Sequence, residues 1–296
     1  MLATSTADPH LRRIRGQAMP SGHRAVHEQL RLRVHGVNLK IAAVRRGGAD
    51  EPIVFMHGFG TSKEDYTDIT QRHDFAGRSF LTYDAPGCGA SECADLGAID
   101  VPFLVDTARA VLDRAGIGRY HVVGHSLGGL TALLLAHREP GRVLSFVNIK
   151  GTLAPEDCAG IRHVLSHQEP GDAFLRFVES LRLAPGYSGG LYAANLPHKV
   201  RRGAVDSIFR SVIELADHGD LLNKFIALPI PKMYLYGEEC ASLSYLPLLD
   251  AHGVELAEIP HSGHLPMYSN PVATWKRIAV FYAGDLSQRI PAARRW

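Results

Sequence analysis

The chain has 296 residues, 46% of them hydrophobic, and a formal net charge of +2. That apolar content suffices for a sizeable buried core, and the near-balanced charge, with no basic stripe carrying interleaved aromatics, argues against a nucleic-acid partner. No stretch is long and apolar enough to cross a membrane, and four cysteines without metal-ligand spacing (Cys88, Cys93, Cys158, Cys240) fit a reduced, cytoplasmic setting in which a Cys88–Cys93 pairing stays open.

Residues 1–25 lack the apolar block of a signal peptide and read as a loosely ordered arm. Arg31–His35 and Leu39–Val44 alternate as an opening hairpin. Ile53–Met56 is a strand that runs into His57-Gly58-Phe59-Gly60, and Thr61 and Ser62 are candidate caps for a helix over Lys63–His73. A fourth strand over Ser79–Tyr83 leads into Asp84-Ala85-Pro86-Gly87-Cys88-Gly89-Ala90-Ser91. Val101–Ala115 is a helix with Leu104, Ala108, Val111 and Leu112 on one face.

The fifth strand, Tyr120–Val123, is followed by Gly124-His125-Ser126-Leu127-Gly128 and a buried helix over Gly129–His137. A G-x-S-x-G between strand and helix forces a turn so tight that only glycine fits on either side of the serine, and it leaves the hydroxyl exposed at a helix N-terminus. Val143–Ile149 is the sixth strand. The interval 152–227 is too long for one crossover helix and holds several helical patterns. It reads as a helical cap over the serine, with Pro185–Gly190 as a flexible joint and Phe174, Phe177, Leu181, Tyr187 and Tyr192 as contributors to its apolar side. Strands over Lys232–Tyr236 and Val254–Ile259, a helix over Val272–Tyr282 and a tail at 287–296 complete the chain. The core is thus expected at 26–151 and 228–286.

From about Arg31 to about Ala283 this arrangement resembles the α/β-hydrolase superfamily. The resemblance implies a mostly parallel, eight-stranded sheet flanked by helices, with an inserted cap, acting on a small molecule without cofactor or metal. It includes the superfamily's D-x-x-G-x-G-x-S loop at Asp84–Ser91. It implies that Ser126 is the nucleophile, that the Phe59 and Leu127 amides form an oxyanion hole, and that His264, in Gly263-His264-Leu265-Pro266, is the general base in preference to His261. His57 and His125 are expected to be structural. No H-E-x-x-H motif supports a metal site, and a homodimer is left open.

The third triad member breaks the pattern. The superfamily's usual acid is the fourth residue of a G-x-x-D turn, here Gly237-Glu238-Glu239-Cys240, so a thiol stands where a carboxylate belongs. A branch that includes haloalkane dehalogenases puts the acid at the end of the sixth strand, where this chain has Lys150. A lysine there opposes the imidazolium and lowers its pKa. Alternation of side chains favours Glu238 over Glu239 as a substitute, with Asp157 more remote, and Lys150 is a candidate partner for either glutamate. A serine nucleophile argues for acyl chemistry on an apolar ester, lactone or thioester through an acyl-enzyme. The alternatives are a weakened enzyme that binds a small molecule, a hydrolase of carbon–carbon bonds, or a cofactorless oxygenase.

Overall fold

The computed structural model describes residues 24–166, 173–183 and 187–284. Most of the expected arm and tail, and Pro185 and Gly186 of the expected joint, lie outside the described residues.

The chain opens on a hairpin of β1 (Val26–Val34) and β2 (Val37–Arg46), closed by the two-residue turn His35-Gly36, both at positive φ. That is the turn geometry whose twist matches paired strands, and glycine supplies its second position without steric cost. The other strands are β3 (Ile53–Met56), β4 (Phe80–Tyr83), a two-residue β5 (Glu92–Cys93), β6 (Tyr120–His125), β7 (Val143–Ile149), β8 (Lys232–Gly237) and β9 (Glu255–Ile259). The sheet order is β1-β2-β4-β3-β6-β7-β8-β9, with β5 pairing β2. Everything from β4 to β9 along this path is parallel, and the β1, β2 and β5 pairings are antiparallel. The sheet is therefore the expected α/β-hydrolase one, with eight strands on the main path and the short β5 added. Residues of β3, β4, β6 and β8 are all buried, as befits parallel strands covered on both faces.

Helices α1 (Val101–Arg114) and α2 (Leu127–Arg138) pack together over one large core cluster. A second cluster, built on Phe55, Phe75, Trp275 and Phe281, fills the other face under α10 (Pro271–Ala283). The segment expected as a helix over Lys63–His73 is a 3-10 helix at Lys63–Gln71. It is drawn inward because the Lys63 backbone and ammonium both bind the wholly buried carboxylate of Asp84, each at 2.8 Å.

Between β7 and β8 come α3 (Ala159–Leu165), α4 (Ala173–Leu183), α5 (Tyr187–Lys199), α6 (Val205–His218) and α7 (Leu221–Ala227). Tyr187 to Gly190, expected as part of a flexible joint, open α5 instead. The helices divide by what they cover. The last, α7, packs on α2, and α6 reaches α1 as well as α3 and α4, whereas α4 packs chiefly on α5. The end of α5 is stitched to the Asp84–Ser91 loop by Gly89 N–H to Lys199 O at 2.8 Å and Arg201 N–H to Gly87 O at 2.9 Å. The remaining short helices are α8 (Leu246–Ala251) and α9 (Pro266–Ser269). All four cysteines are free thiols, so Cys88 and Cys93 do not pair.

Candidate active site

The site begins where β6 turns into α2. Ser126 has φ 49° and ψ −117°, a strained conformation for a residue with a side chain. The two flanking glycines permit it. A methyl group on Gly124 would stand 2.6 Å from the Gly128 carbonyl oxygen, and one on Gly128 would stand 2.1 Å from that of Met56. The tight turn therefore presses the start of α2 against the end of β3, and Ser126 Oγ projects at the helix N-terminus, where first-turn amides lack intrahelical acceptors.

His264 arrives from the far edge of the sheet, on the loop after β9. Its Nε2 is 3.1 Å from Ser126 Oγ. Two contacts hold this loop in place. The His125 Nε2–H donates to the His264 carbonyl at 2.9 Å, which fixes the His125 tautomer because a carbonyl only accepts. At Gly237 any side chain would collide with the Ser262 and Gly263 carbonyls, at 2.2 and 2.4 Å, so glycine is required there for the close approach. His261 is exposed, at φ 54°, and does not border the cavity described below. Of the two histidines it is His264 that meets the serine.

The third element is the loop after β3. His57 Nε2 accepts from the Ala85 N–H at 2.8 Å, so its Nδ1 carries the proton and donates to the Gly58 carbonyl at 2.7 Å. A methyl group on Gly58 would meet His125 Nδ1 at 2.4 Å and Ser126 Cβ at 3.2 Å, which puts the backbone leading into Phe59 directly against the serine. The Phe59 carbonyl accepts the Tyr192 hydroxyl from α5. Phe59 and Leu127 both line the same cavity as Ser126 and His264.

That cavity has a volume of about 360 Å³. Phe177 and Leu181 of α4, Tyr192 of α5, and Ile208, Phe209 and Val212 of α6 form one side of it. Phe59, Phe177 and Phe209 contact each other edge-on or tilted, with ring centroids 4.8 to 5.8 Å apart. Phe174 is buried and does not line the cavity. The other side is made by the ends of β7, β8 and β9, through Thr152, Asp157, Glu239, Gly263 and His264.

Among the described residues no carboxylate completes a triad. Glu238 is not the acid that strand alternation suggested. The strand ends at Gly237 and Glu238–Cys240 is a 3-10 turn, so the period of two no longer applies. The Glu238 side chain is 53% exposed and accepts the His261 backbone N–H at 2.8 Å. Cys240 is half-buried, and burial pushes its thiol pKa up, the opposite of what an acid at this position needs. Lys150, at φ 46°, is buried and pairs with neither glutamate. Its ammonium lies 2.5 Å from Asp157 Oδ1, which also accepts the Tyr245 hydroxyl at 2.9 Å, while Oδ2 accepts the Leu153 and Ala154 amides. Asp157, the remoter candidate acid, is thus fully occupied.

The electrostatics follow. His264 keeps an open edge on the cavity, yet the surrounding walls desolvate its charged form. Together with the neighbouring His125 and Lys150 they hold its pKa well below the usual 6.5. Burial, helped by the neighbouring His57 and Lys150, takes His125 down to about 4. Among the described residues nothing bonds His264 Nδ1, and no cluster of metal-ligating side chains is present.

Residues 53–277 match the model of the alpha/beta hydrolase family. The chain belongs to that family. The hydrolase is 30% identical over 245 residues to the pimeloyl-[acyl-carrier protein] methyl ester esterase of Klebsiella pneumoniae, covering 77% of this chain and 91% of the relative. Shorter matches, each of 39% of the chain or less, link the hydrolase to two others. One is the dihydrolipoyllysine-residue acetyltransferase component of the acetoin cleaving system of Cupriavidus necator (35% identical, 38% of this chain, 29% of the relative). The other is the 2-hydroxy-6-oxononadienedioate/2-hydroxy-6-oxononatrienedioate hydrolase of Burkholderia vietnamiensis (30% identical, 39% of this chain, 41% of the relative). The chain spans less than half the length of these two relatives. Among solved structures, the enol-lactonase of Burkholderia xenovorans superposes with a TM-score of 0.66 at 18% identity, over 86% of the hydrolase and the whole of that chain. A likeness at that identity establishes the fold alone.

Three features of the site went unread in the sequence. They are the Lys150–Asp157 pair, the Tyr192–Phe59 bond and the hold of His125 on His264. Only the last had a local signal, the expectation that His125 beside the elbow serine is structural. The other two depend on the path of the interval between β7 and β8.

Proposed function

We propose that this α/β hydrolase is a serine-dependent hydrolase of a small, largely apolar ester, lactone or thioester, working through an acyl-enzyme. One observation carries the reading: Ser126 Oγ, on its strained elbow, lies 3.1 Å from His264 Nε2 at the floor of an apolar cavity. His264 accepts the serine proton through Nε2 as Oγ attacks the carbonyl carbon. The developing oxyanion is received by the amides of Leu127, at the start of α2, and Phe59, on the loop beside it. His264 then returns the proton to the leaving group, and water deacylates the serine by the same path in reverse. Helices α4 to α6 serve as the cap that holds the substrate's apolar part. The methyl ester esterase among the relatives fits the same chemistry.

The test is turnover of p-nitrophenyl acetate and butyrate by the purified chain beside Ser126→Ala. Steady release of nitrophenol in the parent, lowered about 10³-fold or more in Ser126→Ala, supports the reading. Equal rates in both exclude it.

A second reading has its own observation. His264 has no carboxylate partner and stands near an ammonium. That favours a weakened enzyme which acylates once and releases slowly. A stoichiometric burst followed by negligible turnover, with an acyl adduct on Ser126 seen by mass spectrometry, distinguishes it.

A further inference from the structure

The two sides of the cavity differ in charge as well as polarity. Among the described lining residues there is no lysine or arginine. Two carboxylates line it, and they are not equivalent. Asp157 is 2% exposed and its charge is answered by the Lys150 ammonium, with the Tyr245 hydroxyl and two amides completing its hydrogen bonds. Glu239 sits after β8, exposed, with its carboxylate so near the backbone of Gly263 that a methyl group there would lie 2.4 Å from Oε2. No hydrogen bond or ion pair of its side chain is present among the described residues. Glu239 is therefore the one carboxylate among the described lining residues whose charge no partner answers.

We propose that Glu239 makes the cavity charge-selective, so that it prefers neutral or cationic acyl esters to those carrying a carboxylate. This rests on the reading of Ser126 as the nucleophile. A carboxylate in the substrate must approach Glu239 within a cavity of about 360 Å³, where the walls screen charges less than open water does. The open face of Glu239 and the salt around it limit the penalty to roughly tenfold in kcat/KM. A diacid such as the one named for the Burkholderia vietnamiensis relative would bring two such charges into a pocket whose described lining offers no lysine or arginine to receive them. On this proposal, diacid substrates are disfavoured.

The experiment compares p-nitrophenyl butyrate with the p-nitrophenyl monoester of glutaric acid, using the full chain, Glu239→Gln and Glu239→Lys, with Ser126→Ala as the reference. The ratio of the two kcat/KM values cancels any effect of Glu239 common to both esters. It should be about tenfold in favour of butyrate in the parent, fall toward unity in Glu239→Gln, and reverse in Glu239→Lys. An unchanged ratio in both Glu239 variants overturns the proposal and leaves the serine reading standing. Rates indifferent to Ser126→Ala overturn the serine reading instead. A binding measurement does not depend on turnover. Calorimetry on Ser126→Ala should give hexyltrimethylammonium at least tenfold tighter than hexanoate, a difference lost in Glu239→Gln, and equal affinities would overturn the proposal.

Discussion

The imidazole Nε2–H of His125 donates to the backbone carbonyl of His264 across 139 residues of sequence, at 2.9 Å. The residue before the candidate nucleophile therefore holds the candidate general base. Both are set by one short segment at the end of β6.

His125→Phe keeps an aromatic ring in place and removes this donor. Leaving a buried carbonyl unpaired costs about 1–3 kcal/mol, read as a lower urea midpoint. The His264 loop is freed to drift, so kcat for p-nitrophenyl butyrate should fall about tenfold with KM nearly constant. An unchanged kcat would show that the loop after β9 is held without His125.

The pH profile follows from the direction of the His264 shift. The base must be neutral to accept a proton, and a folded-state pKa well below 6.5 keeps it neutral in mild acid. The acid limb of kcat/KM should therefore lie well below pH 6.5. Lys150→Met removes a cation that lowers this pKa, so its limb should move upward. Stability runs the same way. His121 and His125 are held at about 4 by burial, against 6.5 when exposed. The unfolded chain then binds more protons than the folded one between these values. Stability should fall as pH drops from about 6.5 to 4 and level off below, as urea midpoints taken across the range would reveal.

Lys150→Glu alone would set a second carboxylate beside Asp157 and should destabilise the fold. Combined with Asp157→Asn, it places one carboxylate at the end of β7, where it can orient His264 and stabilise its charged form. The double variant should turn over p-nitrophenyl butyrate roughly tenfold faster than the parent. A slower double variant would mean that the hydrolase does not want an acid at this position.

Glu238→Gln should leave kcat and KM within about twofold, since the side chain is largely exposed and its hydrogen bond runs to the His261 backbone. A tenfold loss of kcat in this variant would return Glu238 to the catalytic machinery.

The sequence carried the sheet, the elbow and the histidine, and the reasons are local. Buried parallel strands are written as unbroken apolar runs, as in Ile53–Met56, and the elbow needs glycine at two fixed offsets from Ser126. The want of an acid was harder to read. The directions of Glu238 and Glu239 depend on where β8 stops, and the 3-10 turn after Gly237 leaves Glu238 off the cavity and Glu239 on it. The partner of Lys150 was equally hidden, because Asp157 reaches it through a short turn whose own amides it also caps.

Tyr192 belongs to α5, and its hydroxyl bond ends on the Phe59 carbonyl. Gly60, next in the chain, lies so close to α5 that a methyl group there would overlap Leu196, at 2.1 Å. The α5 side of the cavity and the loop proposed to receive the oxyanion are consequently one mechanical unit. If the proposed acyl-enzyme chemistry holds, a tail long enough to settle α5 also sets Phe59, and acyl length should be felt at the chemical step. Homologous esters should then differ more in kcat than in KM, as though the far end of the substrate held the trigger.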